Sequence, residues 1–202
     1  PVEQALPLAV VLTIPASGSE TSDSCVISET KTGLKRIASG PALVPKVSLL
    51  DPSLTLSLPV YQTACGISDM LSHLQERYFI PLMENDLTDR LLESVMRCVL
   101  DNGPLVLSHP DSYHLRSEIM WAGTLSHSTL LDRGRGGGDW ACHMIEHALS
   151  GFCDVAHGAG LAILTPAWMR FVARNHTERF LQYASRVWHI EIPLASFEDV
   201  LE

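Results

Sequence analysis

The chain has 202 residues and a formal net charge of −9 at pH 7, from 14 Lys+Arg against 23 Asp+Glu. Such an acidic chain is a poor partner for nucleic acids or anionic membranes, which both reward basic surfaces. Its early apolar run, between Pro7 and Pro15, is under half of the roughly 20 residues that a membrane-spanning helix needs. The hydrophobic content of 46% predicts one or two globular domains with a real core.

The cysteines and the N-terminal sequence favour a cytoplasmic protein. The five cysteines are scattered and never form a Cys-x-x-Cys pair, which favours reduced thiols over a disulfide framework. No basic segment precedes the early apolar run, so no secretory signal peptide is expected. The first residue is Pro and not Met, which indicates a processed, trimmed or partial start.

Residues 1–58 predict the end of an α/β domain. The apolar runs at residues 8–13 and 47–50 are typical of buried, parallel strands. Residues 25–28 look strand-like, and residues 31–35 contain a glycine that is expected to turn a hairpin. Residues 17–20 also match a Ser-x-x-Glu capping box, although the following strand leaves room for only a brief helix.

From residue 59 to residue 202, amphipathic stretches predict an all-helical domain. The pairs Gly103-Pro104 and His109-Pro110 are expected to separate helices. The expected fold class is therefore α/β followed by all-α, mainly helical overall. Helices are predicted near residues 60–79, 86–100, 111–130, 139–150, 158–174 and 176–188.

A glycine-rich stretch at residues 134–138 precedes the fourth predicted helix. It lacks the last glycine of Gly-x-Gly-x-x-Gly, where Asp139 stands, and a helix precedes it instead of a strand. A flexible connection is therefore favoured over a phosphate-binding loop. Asp139 is expected to cap the following helix, and Gly151 is expected to end it.

Acids and histidines at helical spacing are the strongest chemical feature. Asp69 and His73 lie four residues apart, as do His143 and His147, so a helix places each pair on one face. His157 opens a further helix, and the glycine after it permits a close backbone approach. A divalent cation would satisfy an acid and imidazoles buried among apolar neighbours. One carboxylate with two or three imidazoles suits Fe(II) or Zn(II).

A structural interpretation of these histidines competes with the metal site. A single histidine on an apolar face is more often a core residue that is hydrogen-bonded to backbone. The repeated spacing within one helical region favours the metal site for the set. The remaining histidines lie in predicted loops or lack an acidic partner, and we interpret them as surface or core residues: His109, His114, His127, His176 and His189.

Three segments resemble motifs of the iron-containing alcohol dehydrogenases, with details similar to the butanol-dehydrogenase-like branch. Residues 13–20, Thr-Ile-Pro-Ala-Ser-Gly-Ser-Glu, resemble that family's Thr-x-x-Ala/Gly-Thr-Gly-Ser-Glu segment. Asp69-x-x-x-His73 resembles its Asp-x-x-x-His motif. Residues 138–160 resemble its second metal region, where two histidines lie fourteen residues apart, as His143 and His157 do. The resemblance covers nearly the whole chain.

The resemblance implies a dehydroquinate-synthase-like architecture, in which a dinucleotide-binding α/β domain joins a helical metal-binding domain. It makes His147 a neighbour of the metal, placed for proton transfer or near the nicotinamide. The implied metal ligands are Asp69, His73, His143 and His157. The implied contacts with NAD or NADP are Thr13, Ser17, Ser22, Ser24, Lys35 and Leu54. Ser24 and Leu54 could equally be packing residues.

The implied reaction is hydride transfer between the nicotinamide and a small primary alcohol or aldehyde, with the metal as Lewis acid. Four protein ligands would close a tetrahedral zinc site, whereas Fe(II) accepts five or six ligands. Fe(II) is therefore the expected ion, with Zn(II) or Ni(II) as other occupants. A homodimer or a higher homo-oligomer is expected.

The chain also departs from the family's pattern. It lacks the Gly-Gly-Gly-Ser pyrophosphate loop, most of the nucleotide-binding sheet and the last helices of the metal domain, and Ile14-Pro15 replaces a small polar pair. We therefore expect an incomplete central portion that does not bind a dinucleotide productively by itself. Two alternatives stay open: a zinc-dependent polyol dehydrogenase or synthase relative, and a truncated, non-catalytic remnant that binds metal or forms oligomers.

Overall fold

The computed structural model describes residues 2–80, 84–190 and 193. Four short strands come first: β1 (Ala9–Val11), β2 (Ser24–Ser28), β3 (Lys35–Ser39) and β4 (Val47–Leu49). Six helices follow: α1 (Val60–Tyr78), α2 (Asp86–Ser108), α3 (Tyr113–Ser126), α4 (Ala141–Cys153), α5 (His157–Ala173) and α6 (Thr177–Trp188). This order confirms the predicted fold class. The proposed domain boundary near residue 58 stays a prediction.

Strands β1 and β4 pair in parallel, with Val10 opposite Ser48, as the two apolar runs predict. Their predicted burial is wrong. Val11 and Leu49 are 55% and 57% exposed, because the sheet is only two strands wide. A parallel sheet normally has both faces covered, and an apolar run alone cannot show what covers it.

Strands β2 and β3 form the predicted antiparallel hairpin, with Val26 opposite Ile37. Its connection contains Gly33, whose φ of +71° is in the left-handed region that favours glycine. A Cβ on Gly151 of α4 would lie 2.7 Å from the carbonyl oxygen of Gly33. The hairpin therefore contacts α4 backbone to backbone.

No helix forms at residues 17–20, so the predicted capping box is wrong. The N–H groups of Thr21 and Ser22 donate to the carbonyl of Gly18, which closes a tight turn. The Glu20 side chain points into the interior, where it accepts a hydrogen bond of 2.6 Å from the hydroxyl of Thr124 on α3. Glu20 thus links the stranded region, residues 2–55, to the helices.

Helix α1 lies at the centre of the helical region and packs against α5, α2 and α3. Met70, Leu74 and Tyr78 follow at intervals of four residues and are fully buried, as expected for one face of a helix. They join Leu92 and Met96 of α2 in the main hydrophobic core. This packing fixes the position of α1 and of the side chains on its buried face.

Two of the predicted helix boundaries are wrong. Helix α2 continues through Gly103-Pro104 to Ser108, because the proline removes one hydrogen bond while Val106 beyond it remains buried in the core. Helix α4 begins after Trp140, whose backbone is left-handed. It continues through Gly151 to a left-handed Asp154, so Gly151 does not end it.

Asp139 keeps part of its predicted role at the start of α4. Its Oδ1 accepts a hydrogen bond of 3.0 Å from the N–H of Ala141, although the capping position itself is Trp140. The side chain therefore satisfies one of the unpaired N–H groups of the first turn from a position one residue earlier than the cap.

The glycine-rich stretch 134–138 is a loop, as predicted, but it is anchored and not a free connection. The guanidinium of Arg135 is buried, donates to the carbonyl of Arg77, and forms an ion pair with Asp89 of α2. Asp89 also binds Arg179 of α6, with an Nη2–Oδ1 distance of 2.6 Å. The loop is therefore attached to two helices at its middle.

None of the helices in the described part of the chain combines the length and the apolar composition that crossing a membrane requires.

Candidate metal centre

Three helices bring the acid and the histidines together. Asp69 and His73 lie on α1, His143 and His147 lie on α4, and His157 is the first residue of α5. A Cβ on the following glycine, residue 158, would overlap the backbone of α1 at residue 65. The glycine was predicted to permit a close backbone approach, and the structure shows that its partner is α1, against which the start of α5 packs.

One carboxylate oxygen lies at the centre of the cluster. The Oδ1 atom of Asp69 is 3.3 Å from Nδ1 of His73, 3.5 Å from Nε2 of His143 and 3.7 Å from Nε2 of His157. Ligand atoms of Asp69, His143 and His157 all lie within 4.8 Å of one another. The ring of His73 adjoins them, with its centroid 4.4 Å from that of His143.

Several of these buried atoms have no hydrogen-bond partner among the described residues: Oδ1 of Asp69, Nδ1 of His73 and Nε2 of His143. A buried polar group is almost always hydrogen-bonded, and an unsatisfied one costs about 1–3 kcal/mol. A cation among them would satisfy the oxygen and the nitrogens together. The mixed oxygen and nitrogen donor set fits Fe(II), Zn(II) or Ni(II).

The charges of the cluster suit a cation. Burial raises the pKa of Asp69, but the surrounding imidazoles outweigh it and lower the pKa to about 2. Burial lowers the pKa of His73 well below its usual range. Burial also lowers the pKa of His143, but Asp69 and Glu76 outweigh it and raise the pKa to about 9. Asp69 is therefore ionised at neutral pH, and His143 must release a proton before its Nε2 can bind a metal.

Sequence analysis missed two glutamates that contact the histidines. An oxygen of Glu76 contacts Nδ1 of His143, and an oxygen of Glu146 contacts Nδ1 of His157. The available signal was a repeated His-x-x-Glu, which places an acid three residues after both His73 and His143. The spacing alone does not show that each glutamate contacts a histidine of another helix.

His127, which the sequence predicts to be a surface or core residue, adjoins the site. Its ring centroid lies 4.7 Å from that of His73, and its buried Nδ1 lacks a hydrogen-bond partner among the described residues. Arg77, also missed, donates to the backbone of His73 and lies 4.7 Å from the ring of Trp140. These residues therefore surround the ring of His73 at the edge of the cluster.

A cleft of about 530 Å³ opens onto the cluster. Its lining includes His147 beside the other site histidines, and it also includes Ser17, Ser22 and Ser24 from the stranded region. Ser22 and Ser24 bond each other through their hydroxyls at 2.9 Å. The structure thus brings three of the predicted cofactor residues to the site.

A second cleft of about 550 Å³ lies between the β2–β3 hairpin and α4. Lys35 and His147 line it, and Nζ of Lys35 donates to the hydroxyl of Ser150 at 2.5 Å. Thr13 and Leu54, the other two predicted cofactor residues, are exposed and line neither of these two clefts.

Comparisons with known proteins identify the family of the chain. The profile of "Fe-containing alcohol dehydrogenase family, C-terminal" matches residues 63–198, and that of "Iron-containing alcohol dehydrogenase" matches residues 1–52. The chain belongs to the iron-containing alcohol dehydrogenase family. Within it, the chain is 41% identical to the NADH-dependent butanol dehydrogenase B of Clostridium acetobutylicum over 94% of its length. It is 35% identical to the NADPH-dependent aldehyde reductase YqhD of Escherichia coli, again over 94% of its length.

The fold also matches solved structures of the iron-containing alcohol dehydrogenase family. The NADH-dependent butanol dehydrogenase A of Thermotoga maritima superposes over 100% of this chain and 52% of that chain, with a TM-score of 0.92 and 37% identity. The chain spans 49% of the length of both curated relatives named above. It is therefore similar to about half of such a protein.

Proposed function

We propose that the chain carries the metal-binding half of an NAD(P)-dependent alcohol dehydrogenase or aldehyde reductase that acts on small primary alcohols or aldehydes. Asp69, His73, His143 and His157 would hold the metal, which we expect to be Fe(II), with Zn(II) or Ni(II) as other occupants. The observation that supports this most directly is the set of buried, unpartnered oxygen and nitrogen atoms around Oδ1 of Asp69.

The four ligands would fix an ion at the inner end of the cleft. When bound, the ion would polarise the substrate oxygen and stabilise negative charge on it. Asp69 supplies the one full negative charge of the set, and its low pKa keeps that charge at neutral pH. His127 and Arg77 also line this cleft beside His73.

His147 is the residue that we propose for proton transfer. It lies on the wall shared by both clefts and is half-buried. Burial, with a further contribution from His157, lowers the pKa of His147 below its usual value. Its imidazole is therefore neutral at neutral pH and can accept a proton from an alcohol.

We propose that the dinucleotide extends along the two clefts, which meet at His147. Ser17, Ser22 and Ser24 would contact it beside the metal, and Lys35 would contact it in the second cleft. Thr13 and Leu54 are weaker candidates because both lie outside these clefts. NAD and NADP remain equal alternatives, since the named relatives include one of each kind. Assembly into a homodimer or a higher homo-oligomer is part of the same proposal.

Anaerobic reconstitution with Fe(II), and separately with Zn(II), followed by elemental analysis tests the metal site. The wild-type chain should retain stoichiometric metal, and Asp69→Ala and His143→Ala should lose it. His114→Ala is the matched control, because His114 is exposed on α3. Full metal retention by Asp69→Ala would show that the ligand assignment is wrong. Absence of metal from every variant, wild type included, would favour structural histidines.

A non-catalytic metal-binding or oligomer-forming remnant is the second candidate. The exposed apolar side chains of Val11 and Leu49 favour it, since such surface promotes association. Titration of the metal-loaded chain with NADH and NADPH, followed by cofactor fluorescence, separates the two candidates. Saturable binding supports the enzyme, and loading with metal but no binding supports the remnant. A zinc-dependent polyol dehydrogenase relative is less favoured, because the relatives named above are butanol dehydrogenases and an aldehyde reductase.

A further inference from the structure

Two carboxylates lie behind the proposed ligands, and both are fully buried. Glu76 is on α1 and Glu146 is on α4, each with 0% exposure. A buried carboxylate is costly unless it is hydrogen-bonded or paired. Both carboxylates meet that need at an imidazole: Glu76 contacts Nδ1 of His143, and Glu146 contacts Nδ1 of His157.

These contacts determine which ring nitrogen faces the cluster. A carboxylate accepts hydrogen bonds, so Nδ1 of His143 and of His157 must donate. The other nitrogen, Nε2, lies 3.5 Å from Oδ1 of Asp69 in His143 and 3.7 Å from it in His157. Each glutamate therefore presents an Nε2 atom toward Asp69, and a bound ion needs the lone pair on that atom.

The two glutamates connect the three helices in sequence. Glu76 of α1 orients a histidine of α4, and Glu146 of α4 orients a histidine of α5. Glu76 is further fixed because its Oε1 accepts the N–H of Cys142 at 2.6 Å. Glu146 fits only because residue 160 of α5 is a glycine, where a Cβ would lie 2.8 Å from its Cγ. Both carboxylates thus occupy positions that the surrounding backbone defines.

We propose that Glu76 and Glu146 are positioning residues that hold His143 and His157 with Nε2 directed at the metal. The inference rests on the proposed function, because it requires these histidines to be ligands. Such hydrogen bonds fix the tautomer and increase the basicity of the ligand, and their loss typically weakens metal binding about 10–100-fold.

The test replaces each glutamate by the isosteric glutamine in the full 202-residue chain. Glu76→Gln has one acceptor for the two donors that Glu76 now satisfies, the N–H of Cys142 and Nδ1 of His143. Glu146→Gln can keep its acceptor on His157, so its effect should be smaller. Glu93→Gln is the matched control: Glu93 is also buried, at 5% exposure, but its hydrogen-bond partners are Tyr78, Gln182 and Arg186 and none is a histidine.

Two measurements are made on each variant: Zn²⁺ affinity by competition with a chelator, and ¹⁵N chemical shifts of the histidine ring nitrogens. We expect about 10–100-fold weaker Zn²⁺ binding for Glu76→Gln, and a smaller loss for Glu146→Gln. The signals should also show loss of a uniform Nδ1–H form of His143 in the first variant. In the second variant, the Nδ1 signal of His157 should shift, because a neutral amide oxygen accepts a weaker hydrogen bond than a carboxylate. Glu93→Gln should match wild type in both measurements.

Wild-type Zn²⁺ affinity and unchanged ring signals in both glutamine variants would overturn the inference and leave the metal site standing. A wild-type chain that binds no Zn²⁺ would instead overturn the proposed function, and the inference with it. Circular dichroism identifies a variant that does not fold. If Glu76→Gln fails to fold, Glu146→Gln and the signals of His157 decide the question.

Discussion

The stranded region, residues 2–55, and the helical region, residues 60–188, use the same apolar residue types with opposite results. Leu74 of α1 is fully buried, whereas Leu49 of β4 is 57% exposed. Six helices can bury one another's apolar faces, but a two-stranded sheet leaves its own uncovered. The helical region can therefore hold the proposed metal ligands in place by its own packing. The stranded region contributes serines to one cleft and a lysine to the other, without a core of comparable size.

The largest loss of stability should come from breaking the buried ion pairs of the helical region. Asp89→Ala leaves Arg135 and Arg179 without their shared partner, and a broken buried pair costs about 3–5 kcal/mol. Asp86→Ala is the control, since its pairs with Arg90 and Arg186 are exposed and contribute about 0–1 kcal/mol. Urea unfolding measures the free energy of unfolding of both variants. Equal losses would show that the buried ion pairs of Asp89 stabilise the fold no more than the exposed pairs of Asp86.

Truncation of one leucine in each region compares the two directly. Leu74→Ala should reduce the free energy of unfolding by about 2–5 kcal/mol, because it opens a cavity in the core. Leu49→Ala should change it by no more than about 0.5 kcal/mol. A loss at Leu49 as large as at Leu74 would show that β4 is covered in solution, for instance by a second copy of the chain.

Metal should stabilise the helical region alone. At a free Zn²⁺ concentration 100 times the Kd, binding should add about 2.7 kcal/mol to the free energy of unfolding. Hydrogen exchange should slow in α1, α4 and α5, which carry the proposed ligands, and not in β1 or β4. Asp69→Ala should lose both effects, and slowed exchange confined to the strands would place the ion elsewhere.

The smallest change in stability should come from disturbing the contact between the β2–β3 hairpin and α4. In Gly151→Ala, the new Cβ would meet the carbonyl of Gly33 at 2.7 Å and displace the hairpin. Hydrogen exchange should become faster in β2 and β3 and stay unchanged in α1. Overall stability should change by no more than about 1 kcal/mol, since alanine also favours the helix. Ala148→Gly is a control on α4 that introduces no clash.

Sequence predicted the fold class and the hairpin because those features depend on local spacing. It also predicted a close backbone approach at residue 158, but not that the partner would be α1. Periodicity placed Asp69 and His73 on one face of α1, and His143 and His147 on one face of α4. It could not assign Glu76 to a histidine, because that contact depends on how α1 and α4 pack.

The features that the sequence did not predict also depend on packing between distant parts of the chain. His127 follows a helix that carries no acidic partner for it, so nothing local showed that its ring would meet His73. Pro104 predicted a break, but tertiary packing outweighs the loss of one hydrogen bond. The apolar runs at residues 8–13 and 47–50 predicted strands correctly and burial wrongly, since burial depends on neighbouring strands and helices.

The anchored glycine-rich loop has a consequence for limited proteolysis. An arginine flanked by glycines should be an easy target for trypsin, because glycine-rich loops adapt readily to a protease. Trypsin must take the arginine side chain into its own pocket, and the guanidinium of Arg135 is already buried beside Asp89. The exposed Arg133, two residues earlier, does not have this protection. A brief digestion of the folded chain should therefore cut after Arg133 and spare Arg135, until the helices themselves separate.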